Sequence, residues 1–526
     1  MCAIADPNVD IIYISPFELS PDIQRYQVRL LQLGGITDPQ TRIRMLHPEN
    51  VDRFPEHFSL TTLLLYSPHC LKKIKRFVRG KNAYIVTGNV GPEDKRLAIA
   101  LQIPLLGMDP DKALLYGTRS GGKRIFMAAD VNIPMGAHDI YDEDELIQSL
   151  SKLIAADVDQ NEWLVKIDAD QSDTGIASIN VQQMQSVAKV RAEKRDMKHM
   201  AAEYFQQPDV RDAVLRSIFN ELTESKVLSQ VRANVFIEPS GGVHITSAHD
   251  LFMSPANKHL PQCALFPQTS VPYQAIRVRV DALGASLAIA SSMFIKGIIG
   301  YASIDYMSFA DPKTLVGGGR PRQRLWAMQV VPGLTNTAVS FVMFAFLSCS
   351  QFNPITGKCH LQVAAPPPIA ASATVAPITQ AQKAVETILS ARPPNGAVVC
   401  GPERTYMVLD YIYHPNMATL HFSTFFNTCR LNGVSFDLQR AIGAAFILAD
   451  SLTAGVMGLM CIGENDKEAF RIARQAVELI GDQVGVQALP DSLSGERLGN
   501  FPHLLAIVRN KSDDPADRRK RRGALK

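Results

Sequence analysis

Residues 300–312 read GYASIDYMSFADP and residues 325–331 read LWAMQVV. Two apolar runs on either side of a Gly-rich stretch predict a β-hairpin, and alternation sorts the first run into two faces. Tyr301, Ser303, Asp305 and Met307 fall on one face; Ala302, Ile304, Tyr306 and Ser308 fall on the other. The face with the lone carboxylate, Asp305, carries the chemistry, because a magnesium–phosphate site draws on a few hard oxygen ligands. The second strand puts Gln329 where another carboxylate is expected, with Val331 two residues on. The hairpin reads as a nucleotide-handling plan with part of its chemistry removed.

Working outward, 526 residues are enough for about three domains with cores of their own. A hydrophobic share of 46% with 20% charged residues excludes a disordered chain. The net charge of +3 conceals an asymmetry: residues 518–526, RRKRRGALK, carry +6, so the rest sums to −3. The body is near neutral and the basic character is a tail, which reads as a solvated end, a nuclear signal or a patch for acidic partners. Eight scattered cysteines without a CxxC pair imply reduced thiols, neither a zinc site nor a disulfide frame. No signal peptide is evident, and the apolar stretches 283–300 and 337–349 are interrupted or too short to span a bilayer. The expectation is a soluble intracellular protein with no membrane contact.

Strands and helices alternate over 1–112: VDIIYIS, the amphipathic PDIQRYQVRLLQLGG, the basic-faced helix 58–80, NAYIVTG, and the helix of 92–107 with a short strand. That order predicts a parallel sheet with Rossmann-like layering. GNVG at 88–91 is not GxGxxG, so no dinucleotide site is expected. Residues 113–180 alternate helix, strand, helix, strand, and 182–228 are polar and helical in period. Residues 231–355 are strand-rich, with helices at about 271–298 and 337–349. AAPPPIAASATVAPIT is an Ala/Pro-rich linker or loop, and a last α/β unit follows it.

GTRSGGKR, 117–124, satisfies the GxxxxGK of a P-loop, but Arg124 stands where Ser or Thr would hold magnesium. The plain reading is a basic Gly-containing loop that opens a helix. In the functional reading, Arg119 and Lys123, aided by helix N-terminal amides, meet phosphate oxygens. Lys166 in WLVKIDAD sits in an apolar strand, where a buried ammonium needs an anion such as a phosphate. The following turn, DADQSDTGIAS, has only Gly175, too little glycine for a loop that closes tightly over phosphates. His244 and His249 have no third ligand nearby, so no metal pair is read there, and Asp250 reads as a turn residue. GxSxG and HExxH are absent.

Taken in order, these pieces resemble the ATP-grasp fold, and more narrowly the IQ motif-containing protein H family. The resemblance rests on IIYISPFELSPDIQRYQVRLLQLG, SLTTLLLYSPHCLKKIKRFVRGKNAYIV, YGTRSGGKRIF, NVFIEPSGGVHITSAHD, GYASIDYMSFADPKTL and ATLHFSTFFNTCRLNGVSFDLQRAIGAAFIL. It covers nearly all of 9–482. It implies an α/β and α+β multidomain chain: a Rossmann-like pre-ATP-grasp domain (1–112), a small lobe with a helical insertion (113–228) and a large lobe (229–360). A linker (361–395), a C-terminal α/β unit (396–510) and a basic tail (511–526) complete it. Carried over residue by residue, Arg119 stands where the family pattern brings a lysine to phosphate, and Lys166 is the strand lysine. The hinge acid that would hold adenine or ribose falls near Glu221, and Asp305 is the first metal acid. The second metal position, an acid and then an asparagine, meets Gln329 and Val331.

The cofactor so implied is ATP with magnesium. Losing the acid and the amide together removes the clamp on a transferred phosphoryl group. The expectation is therefore a catalytically degenerate ATP-grasp scaffold, a pseudoenzyme with protein partners. By resemblance it belongs to the cilium or flagellar axoneme, with axonemal or microtubule-associated partners; otherwise it is cytoplasmic. An active ATP-dependent carboxylate–amine ligase, or a nucleotide binder without turnover, is the rival expectation. Calmodulin is not expected, because IQRYQVR from Ile23 departs from an IQ motif. Nucleic acid has only the 518–522 cluster in its favour.

Overall fold

The computed structural model describes all residues except 50, 56, 158–159, 169–175, 182–228, 254–260, 278–285, 312–321, 365–397, 449–454, 486–498 and 513–526. The N-terminal region contains β1 (Ile11–Ile14), α1 (Pro21–Leu33), α2 (Pro39–Arg42), β2 (Ile43–Leu46), α3 (Leu60–Leu65), α4 (Pro68–Val78) and α5 (Pro92–Leu101). Strands β1 and β2 pair in parallel, as alternating strands and helices require. NAYIVTG, expected as a strand, contributes only a parallel bridge from Ile85 to Leu105. Its Tyr84 and Val86 face solvent, so the run lacks the two-sided burial of an inner parallel strand. The helix read over 58–80 is two helices, because Pro68 has no amide to continue the first.

Next come α6 (Pro110–Gly117), α7 (Arg119–Ala128), α8 (Glu143–Ala156) and the hairpin strands β3 (Glu162–Lys166) and β4 (Ile176–Asn180). The main body is one antiparallel sheet. Its first strands are β5 (Ser229–Ile237), β6 (Val243–Met253), β7 (Pro261–Phe266), β8 (Gly300–Asp311) and β9 (Arg322–Pro332). A small sheet of β10 (Ser350–Asn353), β11 (Lys358–Ala364) and β12 (Val398–Glu403) follows. Then β13 (Thr405–Tyr413), β14 (Phe436–Asp437), β15 (Ile442–Ile447) and β16 (Val456–Gly463) return to the main sheet, whose order is β14-β15-β16-β13-β7-β6-β5-β8-β9. The C-terminal unit expected at 396–510 thus has no main sheet of its own: β13 pairs with β7. Its sequence signals were local, whereas sheet membership depends on a partner strand far away in the chain.

One face of β5, β8 and β9 is apolar. Val231, Ala233, Val235, Ile304, Tyr306 and Val330 are buried beside Ile125 and Phe126 of α7 and Ile289 of helix Ser286–Ile295. Gly122 of α7 lies close to the backbone of β9: a Cβ there would stand 3.4 Å from the Val330 nitrogen. The alternation read from 300–308 is the one observed. On the opposite side, helix Asn336–Ser348 packs Phe341 and Phe344 onto Phe266 and Tyr406.

The N-terminal region covers a sheet edge. Tyr26 of α1 donates its hydroxyl to the Phe446 carbonyl (3.0 Å) and accepts from the Phe446 amide (2.7 Å), while Gln27 donates to the Leu448 carbonyl. Two side chains thereby do what a further strand would do for β15. At the other end, Gly333 holds φ +100° and the Leu334 amide donates to the Gly88 carbonyl at 3.1 Å, tying GNVG to the end of β9.

Candidate functional site

On the polar face, four strands present one residue each in direct register: His249 of β6 against Arg232 of β5, Arg232 against Asp305 of β8, and Asp305 against Gln329 of β9. At about 4.8 Å between strands, this row spans about 15 Å. Arg232 clasps Asp305 with both prongs: Nε donates to Oδ1 at 2.6 Å and Nη2 to Oδ2 at 2.8 Å. Both side chains are nearly buried, with 16% and 15% exposed. Gln329 is held from outside the sheet, its Oε1 accepting from Arg119 Nη1 at 2.9 Å.

The row continues into a polar network. Asn234, two residues beyond Arg232, accepts at Oδ1 from Ser303 (2.6 Å), Thr337 (3.2 Å) and Thr335 (3.3 Å), which turns its amide nitrogen toward Ser247 and His249 Nδ1. His249 Nδ1 therefore accepts, and Nε2–H donates to the Tyr406 hydroxyl oxygen at 2.6 Å. Burial, reinforced by the Arg232 charge, depresses the His249 pKa to about 3, so the ring is neutral. On β13, burial raises Asp410 to about 6, opposed by the Arg232 charge and a hydrogen bond from Asn336. Arg232 is the central cation of the face, acting on Asp305, Asp410 and His249 together.

The phosphate end differs from the expectation. The N-terminus of α7 already holds an intramolecular carboxylate, since Asp168 Oδ1 accepts from the Ser120 amide at 2.6 Å and the Asp168 carbonyl accepts from the Arg119 amide. Thr118 caps Gly121. Lys123 does not join Arg119: it donates to the Pro134 carbonyl at 3.2 Å, where burial lowers its pKa. The two residues stand one turn apart on the same face of α7, yet Arg119 reaches Gln329 on β9 while Lys123 reaches the Pro134 carbonyl. Lys166, read as buried, is half-buried at the end of the two-stranded β3–β4 sheet, opposite Ile176. Gly175 and Glu221 lie outside the described residues. His244 binds Glu238 at 2.9 Å, far from the His249 contacts. Asp250 is not itself in a turn. It is a buried residue of β6 whose carboxylate caps the turn at Thr269 and Ser270.

The row does not fit magnesium. The first acid has both oxygens on a guanidinium, the second position is an amide oxygen given to Arg119, and Val331 offers no oxygen. Among the described residues, no group of three or more His, Cys, Asp or Glu could hold a metal ion. Arg232 was missed from the sequence, although the argument applied to Lys166 fits it equally: a lone cation in VRANVFI, an otherwise apolar strand. A depression of about 550 Å³ opens elsewhere, on the N-terminal region beside Lys95, Ile99, Gln102 and Asp109.

The family model described as IQCH-like, ATP-grasp matches residues 110–230 and 216–354. Every described residue of the row lies within that range. The chain is similar to IQ motif-containing protein H: it is 27% identical to the zebrafish (Danio rerio) protein over 97% of its own length. It spans about half the length of that relative, 47%. Among solved structures it is similar to biotin carboxylase from Campylobacter jejuni in complex with β,γ-ATP (9% identity, TM-score 0.48, 95% of each chain). It is also similar to the biotin carboxylase domain of Hydrogenobacter thermophilus 2-oxoglutarate carboxylase with ADP, magnesium and bicarbonate (11% identity, TM-score 0.47, 95% of this chain and 94% of that one).

Proposed function

We propose that this chain keeps the ATP-grasp fold as a scaffold and has given up magnesium-dependent phosphoryl transfer. The observation that carries the reading is the two-pronged Arg232–Asp305 pair, with both metal-facing oxygens taken. A resident guanidinium supplies the positive charge that the carboxylate needs, so the sheet is electrostatically complete without a metal. Asp168 on the α7 amides supports the reading at the phosphate end, because a polyphosphate would have to displace it. What remains for function is surface, and the partners are other proteins. Placement in the cilium or flagellum is part of this proposal and rests on family resemblance; a tagged protein diffuse in the cytosol and absent from the axoneme would remove that part.

The test is calorimetry of ATP binding by the purified chain, with and without magnesium, beside Lys166→Ala. No magnesium-dependent heat is expected in either protein. Tight magnesium-dependent binding that Lys166→Ala abolishes, followed by ADP release with pooled carboxylic acids and amines, would replace the scaffold with a ligase.

A further inference from the structure

Residues 57–92 contain no Asp or Glu and six Lys or Arg, in a chain with 51 acids among 526 residues. The structure gathers five of these cations on one side of α4 and its end. Lys72, Lys73, Lys75, Arg76 and Arg79 are all exposed, while Cys70 and Ile74 of the same helix are buried against Leu64, Leu97 and Leu101. Among the described residues, none of the five has a carboxylate partner. The nearby acids are committed elsewhere: Glu49 caps the α4 N-terminus at the Cys70 amide (2.6 Å), and Asp10 pairs with Lys81. Arg44 of β2 adds a further guanidinium, stacked 5.7 Å from the centre of the Phe77 ring. A solvated helix face ordinarily intersperses acids at i+4 spacing, which relieves like-charge repulsion. Here that repulsion is left standing, with a cost that only an outside anion removes.

We propose that this face of α4 docks an extended acidic run of a partner polypeptide. Three features select that occupant. From Lys72 to Arg79 the cations span about 10 Å along the helix, the length of about three extended residues, so a short acidic run lies within reach of all five. The apolar side of α4 is consumed by the core, so the helix has nothing to insert into a bilayer. The α4 N-terminus, where a nucleic-acid phosphate would gain most, already holds the Glu49 carboxylate.

The experiment uses the full chain and a fluorescent decaglutamate peptide, followed by anisotropy across a salt series. The comparison protein is Lys72→Glu/Lys73→Glu/Arg76→Glu, all at exposed sites, with circular dichroism to check that its fold matches the parent. Salt-sensitive binding that falls at least about tenfold in the triple variant is expected. Three results overturn the proposal. One is binding equal in the two proteins; another is binding lost only when residues 513–526 are removed. The third is a 15-base-pair duplex or a phosphatidylserine vesicle binding more tightly than the peptide through these same residues.

Discussion

Replacing Arg232 with Met tests the resident cation most directly. Methionine keeps much of the aliphatic volume but removes the two donors that Asp305 uses at 2.6 and 2.8 Å. With 15% of the Asp305 side chain exposed, water replaces little of that loss. Breaking a buried ion pair from one side costs about 3–5 kcal/mol, and the nearby Asp410 carboxylate loses the same cation. The Asp410 carboxyl, already raised by burial, then titrates at still higher pH in the folded state than in the unfolded one. A raised folded-state value for an acid means that stability falls as pH rises, so the penalty is largest at pH 8 and shrinks toward pH 4. The assay is urea unfolding of a Trp163→Phe background, in which Trp326 on β9 is the sole tryptophan and reports on the main sheet. Adding Asp305→Leu to Arg232→Met should recover much of the loss, since an apolar pair leaves no uncompensated charge in the row. A loss under about 1 kcal/mol at pH 8, or one that does not depend on pH, would refute the reasoning.

Further expectations concern the surrounding structure. His249, with a folded pKa of about 3, contributes stability that grows from pH 3 to about 6.5. Asp410, raised to about 6, contributes stability present below its unfolded pKa of about 4 and lost by pH 6. The two oppose each other between pH 4 and 6. Relative to the parent, Asp410→Asn should gain about 1.4 kcal/mol per pH unit across that window and His249→Gln should lose about as much, read from melting midpoints against pH. Gly333→Ala places a Cβ 2.4 Å from the Gly88 carbonyl at φ +100°, and should cost about 2 kcal/mol or more in urea unfolding. Tyr26→Phe removes both hydrogen bonds to Phe446 at the β15 edge; about 1–3 kcal/mol should be lost, and hydrogen exchange at Phe446 should quicken. Arg232→Ala frees Asp305 toward solvent, so manganese should broaden resonances near β8 in the variant and leave the parent unchanged.

Much of this protein follows from order along the chain. Alternation placed Asp305 on one face and Ile304 and Tyr306 on the other, because side-chain direction in a strand depends only on residue parity. Co-linearity of short motifs carried the resemblance to the ATP-grasp fold, and parity placed Gln329 on the second strand. The local spacing of glycines and cations in GTRSGGKR could not say where Arg119 and Lys123 point. That depends on α7 lying against β9, which brings Arg119 to Gln329 and leaves Lys123 at Pro134.

Register was equally beyond reach of the linear reading. Arg232 and Asp305 are 73 residues apart, and only antiparallel pairing of β5 with β8 makes them neighbours. The same holds for β13–β16, read as a separate unit yet joined to the main sheet through β7. Which residues are apolar and how they alternate was legible in the chain alone, since these are properties of composition and spacing. That Asp305 is bound to an arginine was decided only in three dimensions, because ion pairing depends on distance in space and a chain specifies that only once its strands are in register.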